Sequence, residues 1–457
     1  MSEVIIMKFG GSCLTNPESM KKVINILKKY KDNELILVAS ALSGITDKLI
    51  KATTNADKKQ GYSTTLNEIK KSHLDIIEKI NDPVYLEMAE NHLMDHLDDL
   101  NNMLNEIEIF GLTPYKLDYV ISKGEKLSTF ILYCFLRSEG FSSEYIPADK
   151  LIFTDNIYQN ALPIMDATQN LINSKIKLNG KIYCITGFIG RNIEGHSTTL
   201  GRGGSDFTAT IIANCLHKPP EVKSRVILWK DVPGLLTAHP EIEPKAKLVA
   251  RLSYNEAKEM AYFGSKILHP KCIIPISEKN IPLEIRNFED PMCLECTIID
   301  EQIKKREITG ISVIPKVAMV TAISTGTVQI PGVLAKLFSL MGENDINVMM
   351  ISQSSSEINT TFTVSKEDGF RAKEIIENSK FFAKWFTVNV KDVGMMAIIG
   401  LNLANPLITS RIFNALSKKE IPIYALAQGS NGLNISILIP PDKLVEAVNL
   451  IHSEFIS

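Results

Sequence analysis

The sequence predicts an α/β protein in which a large domain, built on a mostly parallel sheet between helical layers, precedes two small modules of mixed strands and helices. Three observations predict it. Short apolar runs alternate with amphipathic stretches in strand, helix, strand order through the first part of the chain, a grammar that favours a parallel sheet covered on both faces. After Thr297 the elements become shorter. A shift of 75 residues then lays the tail onto itself, with Phe338 on Phe413, Lys336 on Arg411, Asp345 on Glu420, Gln353 on Gln428 and Asn359 on Asn434.

Val4–Met7 reads as a buried strand, and Lys8-Phe9-Gly10-Gly11-Ser12 follows it as a turn. Asn16 and Pro17 suit the N-cap and first position of a helix along which Met20, Val23, Leu27 and Tyr30 recur at helical spacing. Leu35–Val38 is a second strand, ending at Ala39-Ser40-Ala41-Leu42-Ser43-Gly44. Residues from about 55 to 110 are polar, acidic and helical in pattern, and are expected to form an inserted hairpin of helices. The βαβ grammar resumes with a strand at Ile182–Ile185, a helix at Phe207–Cys215 and a strand at Val226–Trp229 ahead of Lys230-Asp231-Val232-Pro233-Gly234. Each copy of the tail repeat reads strand, helix, strand, strand, helix with a closing strand, the ferredoxin-like βαββαβ pattern. The boundaries that follow are 1–300 for the large domain and 301–385 and 386–457 for the modules, which are open to interlocking.

Composition bounds the function. The chain has 457 residues, 45% of them hydrophobic, and 50 Lys plus Arg against 52 Asp plus Glu for a net charge of -2. That balance makes no global case for nucleic acid or membrane. The start, MSEVIIMKFGG, lacks a basic segment leading into an apolar core, and no apolar run approaches a membrane span, so a cytoplasmic setting is expected. Seven scattered cysteines argue for reduced thiols; Cys293 and Cys296 form a CxxC with no second pair beside it, a poor zinc site. His92 and His96, among Asp95, Asp98 and Asp99, read as a solvated helix face.

Chemistry is expected where βα turns gather beyond the carboxyl ends of strands. Four turns qualify: KFGGS, ASALSGIT, GRGGSD (Gly201–Asp206) and WKDVPG. GRGGSD opens a helix without the lysine of a P-loop. Lys8, Arg202, Lys230 and Lys266 would bring positive charge around a polyphosphate and an acidic substrate.

KFGGS, ASALSGITD, SKGEKLST, GFIGRNIEGHSTTLGRGGSDFTA, LWKDVPGLLTAHP and LSYNEAKEMAYFGSKILHP, in this order, resemble the aspartokinases, and the tail modules resemble paired ACT domains. The resemblance covers nearly the whole chain. It implies the amino-acid-kinase fold and transfer of the ATP γ-phosphoryl group to the β-carboxylate of L-aspartate, giving 4-phospho-L-aspartate at the head of lysine, threonine and methionine biosynthesis. It implies that Arg202 clamps the substrate α-carboxylate, that Glu125 receives its ammonium, and that Ser40, Thr46, Gly203, Gly204 and Ser205 add contacts. Lys8 and Asp206 are the implied catalytic pair, Asp206 orienting Lys8. Lys8, Gly10, Gly11, Ser12, Lys230, Asp231, Gly234, Leu235 and Lys266 are the implied nucleotide contacts, with Mg2+ arriving on ATP. The sequence departs from many members at Lys230, Leu236 and Glu241, where threonine, an aromatic residue and arginine are common.

In the first module the segment from Asn347, with Val348, Met349, Gln353 and Glu357, resembles the regulatory stretch of threonine-sensitive members; lysine-sensitive ones often carry aspartate where Met349 stands. Threonine or lysine is the expected effector, with Gln353, Asn359, Gln428 and Asn434 as polar contacts and a homodimer or homotetramer formed through the modules. A related kinase acting on another carboxylate and a non-catalytic amino-acid sensor are the alternatives. At this length no fused homoserine dehydrogenase is expected.

Overall fold

The computed structural model describes residues 2–263, 267–302, 306–324, 331–354 and 359–456. In chain order the first elements are β1 (Ser2–Phe9), α1 (Pro17–Lys29), β2 (Glu34–Ala39), α2 (Ile45–Asp57), α3 (Ser63–Ile77), α4 (Pro83–Phe110) and α5 (Pro114–Ser138). There follow β3 (Ser143–Ile146), α6 (Met165–Lys175), β4 (Ile182–Thr186), β5 (Ile189–Arg191), β6 (Ser197–Thr199), α7 (Gly204–Leu216) and β7 (Val222–Lys230). Then come β8 (Arg251–Ser253), α8 (Tyr254–Tyr262), α9 (Ile273–Glu278), β9 (Leu283–Asn287) and β10 (Thr297–Asp300). The tail holds β11 (Gly310–Ser324), α10 (Val333–Glu343), β12 (Met350–Gln353), β13 (Asn359–Ser365), α11 (Asp368–Asn378), α12 (Phe382–Trp385), β14 (Phe386–Ile399), α13 (Pro406–Ser417), β15 (Ala425–Gln428), β16 (Asn434–Ile439) and α14 (Leu444–Phe455). Contacts divide the chain into two units: Met1–Leu235, Ala250–Tyr254 and Ile267–Gln302 form the first, and Leu236–Val249, Asn255–Lys266 and Ile303–Ser457 the second.

The first unit is organised by an eight-stranded sheet in the order β3-β4-β2-β1-β7-β9-β10-β8. Every pairing is parallel except β9 with β10. Its central strands are apolar on both faces, as a sheet between helical layers requires: Val4, Ile5, Ile6, Met7 and Ile36–Ala39 are buried. The first helix starts where its residues dictate. Asn16 accepts from the Ser19 N–H at 3.0 Å while the Ser19 hydroxyl accepts from the Asn16 N–H at 3.1 Å, a reciprocal cap ahead of Pro17, worth about 1 kcal/mol. Beneath the sheet's carboxyl edge, Phe9 stacks on Trp229 with ring centroids 6.3 Å apart and meets Phe288 edge-on. Three buried aromatics, each contributing about 1.5–3 kcal/mol of burial, form a firm floor there.

The polar insert is a helical hairpin, α3 and α4 joined by five residues, and it belongs to a wider layer. That layer has four helices, α2 to α5, whose Ile69, Ile76, Leu93, Leu100 and Leu104 join the same core as β1 and β2. The histidines on α4 are not a solvated face: His92 stacks on Phe130 at 3.8 Å and His96 Nδ1 lies 3.1 Å from Lys123 Nζ. Burial, more than any neighbouring charge, brings their pKa values down to about 4 and about 3. All seven cysteines are free thiols. Among the described residues no helix is long and apolar enough to cross a membrane.

The second unit carries a six-stranded antiparallel sheet, β12-β13-β11-β14-β16-β15. Its two long central strands each serve both tail modules. The later half of β11 packs Ala318 and Val320 into one core together with Val388 of β14. The earlier half sends Ile311 into a second core with Met396 and Ile398 of β14. The change of core falls at Pro315, which has no N–H for the ladder, and the register slips there between Ile314 and Val317. Among the described residues no closing strand follows α14; the fourth strand beside β14, β16 and β15 is the start of β11, which precedes α10 in sequence.

Candidate functional site

Three turns of the first unit leave the carboxyl ends of adjacent strands. Phe9 stands opposite Ala39 on one side and Trp229 on the other, so the turns after β1, β2 and β7 open side by side. They are tightly spaced: a Cβ on Gly11 would meet the Ala41 carbonyl at 3.0 Å. A fourth turn, Gly201–Ser205, starts α7. Gly201 and Gly203 take φ of +75 and +74, and a Cβ on Gly203 would stand 2.5 Å from that of His269, so both shape and space call for glycine.

Asp206 lies in the first turn of α7. Its Oδ1 is 2.7 Å from Lys8 Nζ, and its Oδ2 is 2.7 Å from Lys230 Nζ. All three side chains are largely shielded, and desolvation opposes every charge. Burial would raise Asp206, yet the two lysines hold it below the ordinary carboxylate range. Lys8 is brought below the usual lysine value by burial and by Lys230, against the pull of Asp206. Burial also works against Lys230, but Asp206 carries it above that value. One carboxylate between two ammonium groups leaves a positive charge over, beside the N–H groups that open α7. Such a place suits an anion.

Glu125, on α5, is buried, and its Oε2 has no hydrogen-bond partner. Burial pushes its pKa up to about 8, against lowering by the Ala41 and Glu125 N–H groups and by Lys8. An unpartnered buried carboxyl oxygen is costly unless a ligand completes it. A small zwitterion would: an ammonium for Glu125, and a carboxylate for the exposed guanidinium of Arg202.

The remaining candidates fall around this mouth or elsewhere. Gly10 is close enough to Lys8 that a Cβ there would be 3.5 Å from Nζ, and Ser12 is exposed on the same turn. Ser40 is fixed at both ends of its backbone, N–H to the Phe9 carbonyl at 3.1 Å and carbonyl to the Ser128 hydroxyl at 2.7 Å. Thr46 is half-buried at the start of α2, Gly204 and Ser205 are buried in α7, Asp231 is exposed, and Gly234 and Leu235 are buried. The Leu235 N–H donates to Thr297 Oγ1 at 2.9 Å. Lys266 and Glu357 lie outside the described residues.

In the second unit Asn347 and Gln353 are exposed, Val348 and Met349 half-buried, and the Met349 N–H donates to the Thr363 carbonyl at 2.9 Å. Gln353 and Gln428 end β12 and β15, while Asn359 and Asn434 begin β13 and β16, so the repeat is kept in space. The Asn434 amide donates to Glu259 Oε2 at 2.9 Å.

Two buried residues that hold the backbone of these turns were absent from the sequence reading, Ser128 and Asp118. The Asp118 signal was available, since it precedes Glu125 by seven residues on one helix face, but a buried acid on a helix has no pattern of its own.

The chain matches the amino acid kinase family over residues 3–287 and the ACT domain over residues 320–379 and 396–455. It is 30% identical over 472 residues to aspartokinase 3, chloroplastic, of Arabidopsis thaliana, with 98% of this chain and 81% of that protein covered. It is 29% identical over 463 residues to the bifunctional aspartokinase/homoserine dehydrogenase of Haemophilus influenzae, with 98% and 56% covered. The chain thus spans about half the length of the bifunctional curated relatives it matches. The crystal structure of E. coli aspartokinase III in complex with aspartate and ADP shares the fold, with a TM-score of 0.85 at 24% identity over 99% of this chain and 100% of that one. The same protein in complex with lysine and aspartate gives 0.80.

Proposed function

Because the chain belongs to the amino acid kinase family, and within it to the aspartokinases, we propose that it transfers the γ-phosphoryl group of ATP to the β-carboxylate of L-aspartate. The observation that carries this reading is the bridge from Lys8 through Asp206 to Lys230 at the start of α7, one turn after Arg202. The nucleophile needs no base, because a side-chain carboxylate with a pKa near 4 is ionised at neutral pH. Its oxygen bonds to the γ-phosphorus as the bond to the β,γ-bridging oxygen breaks, and ADP leaves with that electron pair. What remains for the protein is position and charge.

Lys8, held by Asp206, neutralises the transferring oxygens. The Lys230 ammonium shares Asp206 with Lys8, which favours a phosphate role and leaves the backbone of Asp231, Gly234 and Leu235 for the nucleoside. Gly10, Gly11 and Ser12 border the phosphates. Arg202 with Gly203, Gly204 and Ser205 takes the α-carboxylate, Glu125 the ammonium, and Ser40 and Thr46 line the approach. The described residues gather no set of three His, Cys, Asp or Glu side chains that fits a metal ion. Magnesium, which adds charge neutralisation when it accompanies ATP, is assigned to the phosphates.

The second unit is assigned to regulation by threonine or lysine and to self-association as a homodimer or homotetramer, in a cytoplasmic setting. Gln353, Asn359 and Gln428 are the open polar contacts, and Asn434 would have to leave Glu259 to join them. Trapping aspartate-dependent acyl phosphate with hydroxylamine, with and without each effector, tests the whole reading. Acyl phosphate formed from glutamate and not from aspartate would overturn it, and calorimetric silence from both amino acids would remove the regulatory part.

A further inference from the structure

We propose that Asp118 is a positioning residue for substrate: it ties Thr199, two residues before Gly201, to the turn at Gln159 that packs against Gly201, and so aims Arg202. The proposal rests on the assignment of Arg202 to the aspartate α-carboxylate. Asp118 is fully buried on α5, and its carboxylate takes three hydrogen bonds. Oδ1 accepts from Thr199 Oγ1 at 2.9 Å, and Oδ2 accepts from the N–H groups of Thr199 and Gln159, each at 2.9 Å. All three donors belong to two residues, Thr199 at a strand end and Gln159 in a turn, that border the arginine turn.

Thr199 ends β6, three residues before Arg202. Gln159 lies in a turn that backs onto Gly201: a Cβ there would meet Asn160 Oδ1 at 2.8 Å and the Gln159 carbonyl at 3.0 Å. Gln159 itself is held at a φ of +64, a conformation that non-glycine residues rarely take. The same turn is stitched to the strand by the Ala161 N–H, which donates to the Thr199 carbonyl at 2.9 Å. With Asp118 gone, two backbone N–H groups and a hydroxyl would lose their shared acceptor, and the turn and the strand end would be free to separate.

The placement of Asp118 explains why it matters for a zwitterion. It precedes Glu125 by seven residues of one unbroken helix, which is two turns, about 10 Å, and nearly the same face. One rigid element therefore sets the ammonium receptor directly and the carboxylate receptor through its tether. A substrate that must meet both charges at once depends on that separation.

The test compares Asp118→Asn and Thr199→Val with the wild-type chain. Asp118→Asn should raise KM for aspartate by about tenfold or more and move KM for ATP by less than about twofold, a split that general loosening would not produce. In an Arg202→Ala background the same substitution should add less than about twofold, because its effect runs through Arg202. An equal rise in both KM values, or a full multiplicative effect in the double variant, would overturn the proposal. Thr199→Val removes one of the three bonds and should raise KM for aspartate by about threefold, which keeps the test open where Asp118→Asn does not fold. Amide exchange of residues 155–163 and 197–204 should quicken in Asp118→Asn without substrate; unchanged exchange refutes the tether. Where the wild-type chain makes no acyl phosphate from aspartate, the aspartate reading falls, and the exchange result alone decides the tether.

Discussion

Glu125→Gln is the most informative substitution, because it keeps the shape of the side chain and removes its titration. A carboxyl whose folded pKa is raised from 4.5 to about 8 binds a proton more tightly in the folded chain than in the unfolded one. Its contribution to stability is complete below the unfolded value and is lost as pH rises through the folded one. Between about pH 6 and about pH 8 the loss runs at 1.36 kcal/mol per pH unit, then levels off, so going from about pH 6 to about pH 9 costs about 3 kcal/mol. Glutamine titrates nowhere in this range and loses none of it. The assay is urea unfolding of the first unit at the two pH values, in a Trp385→Phe background so that the buried Trp229 alone reports. Wild type and variant losing stability by the same amount over this range would refute the reasoning. Aspartate supplies the complementary test. If its ammonium completes Glu125, binding at neutral pH must release about one proton, and affinity should tighten by up to about tenfold for each unit that pH rises towards 8. Calorimetry in two buffers of different ionisation enthalpy reads the proton, which should vanish in Glu125→Gln.

Other outcomes follow from the same site. Lys8→Ala and Arg202→Ala should each leave a folded chain, by circular dichroism, with acyl-phosphate formation down by at least about a hundredfold; near-normal turnover in either would count against its role. Asp206→Asn strips the counter-charge from two buried ammonium groups and should cost about 3–5 kcal/mol near neutral pH. Part of that loss should return as the pH approaches 10 and the ammonium groups neutralise, and a pH-independent loss in urea melts would show that the bridge is not the cause. Asn434→Ala should loosen α8 from the start of β16, seen as faster amide exchange in residues 255–262, because it removes the bond to Glu259; unaltered exchange would show that the bond holds nothing.

Local chemistry was legible wherever a residue's own neighbours settle its conformation. Asn16, Pro17 and Ser19 start α1 as their types dictate, and apolar runs become the inner strands of a parallel sheet because every side chain there is covered. Gly201 and Gly203 mark a turn whose left-handed backbone and close neighbours favour glycine. The tail repeat, visible as a shift of 75 residues, reappears as matched strand ends at Gln353 and Gln428.

Sequence by itself therefore determined the elements, the kind of sheet, the duplication and the turns around which chemistry gathers. Tertiary structure decided the partners. That Asp206 serves Lys230 as well as Lys8 depends on β7 lying next to β1, a matter of strand order. That Glu125 is an acid lacking a partner depends on what covers it, and that His92 faces an aromatic ring and not water depends on how α4 lies on α5. The tail is the plainest case: the strand that completes the second sheet half is drawn from the chain that precedes α10, and a proline turns it from one core to the other. Spacing along the chain carries conformational preference, whereas burial, charge pairing and strand exchange are properties of residues far apart in sequence that only the packed fold brings within a few ångströms.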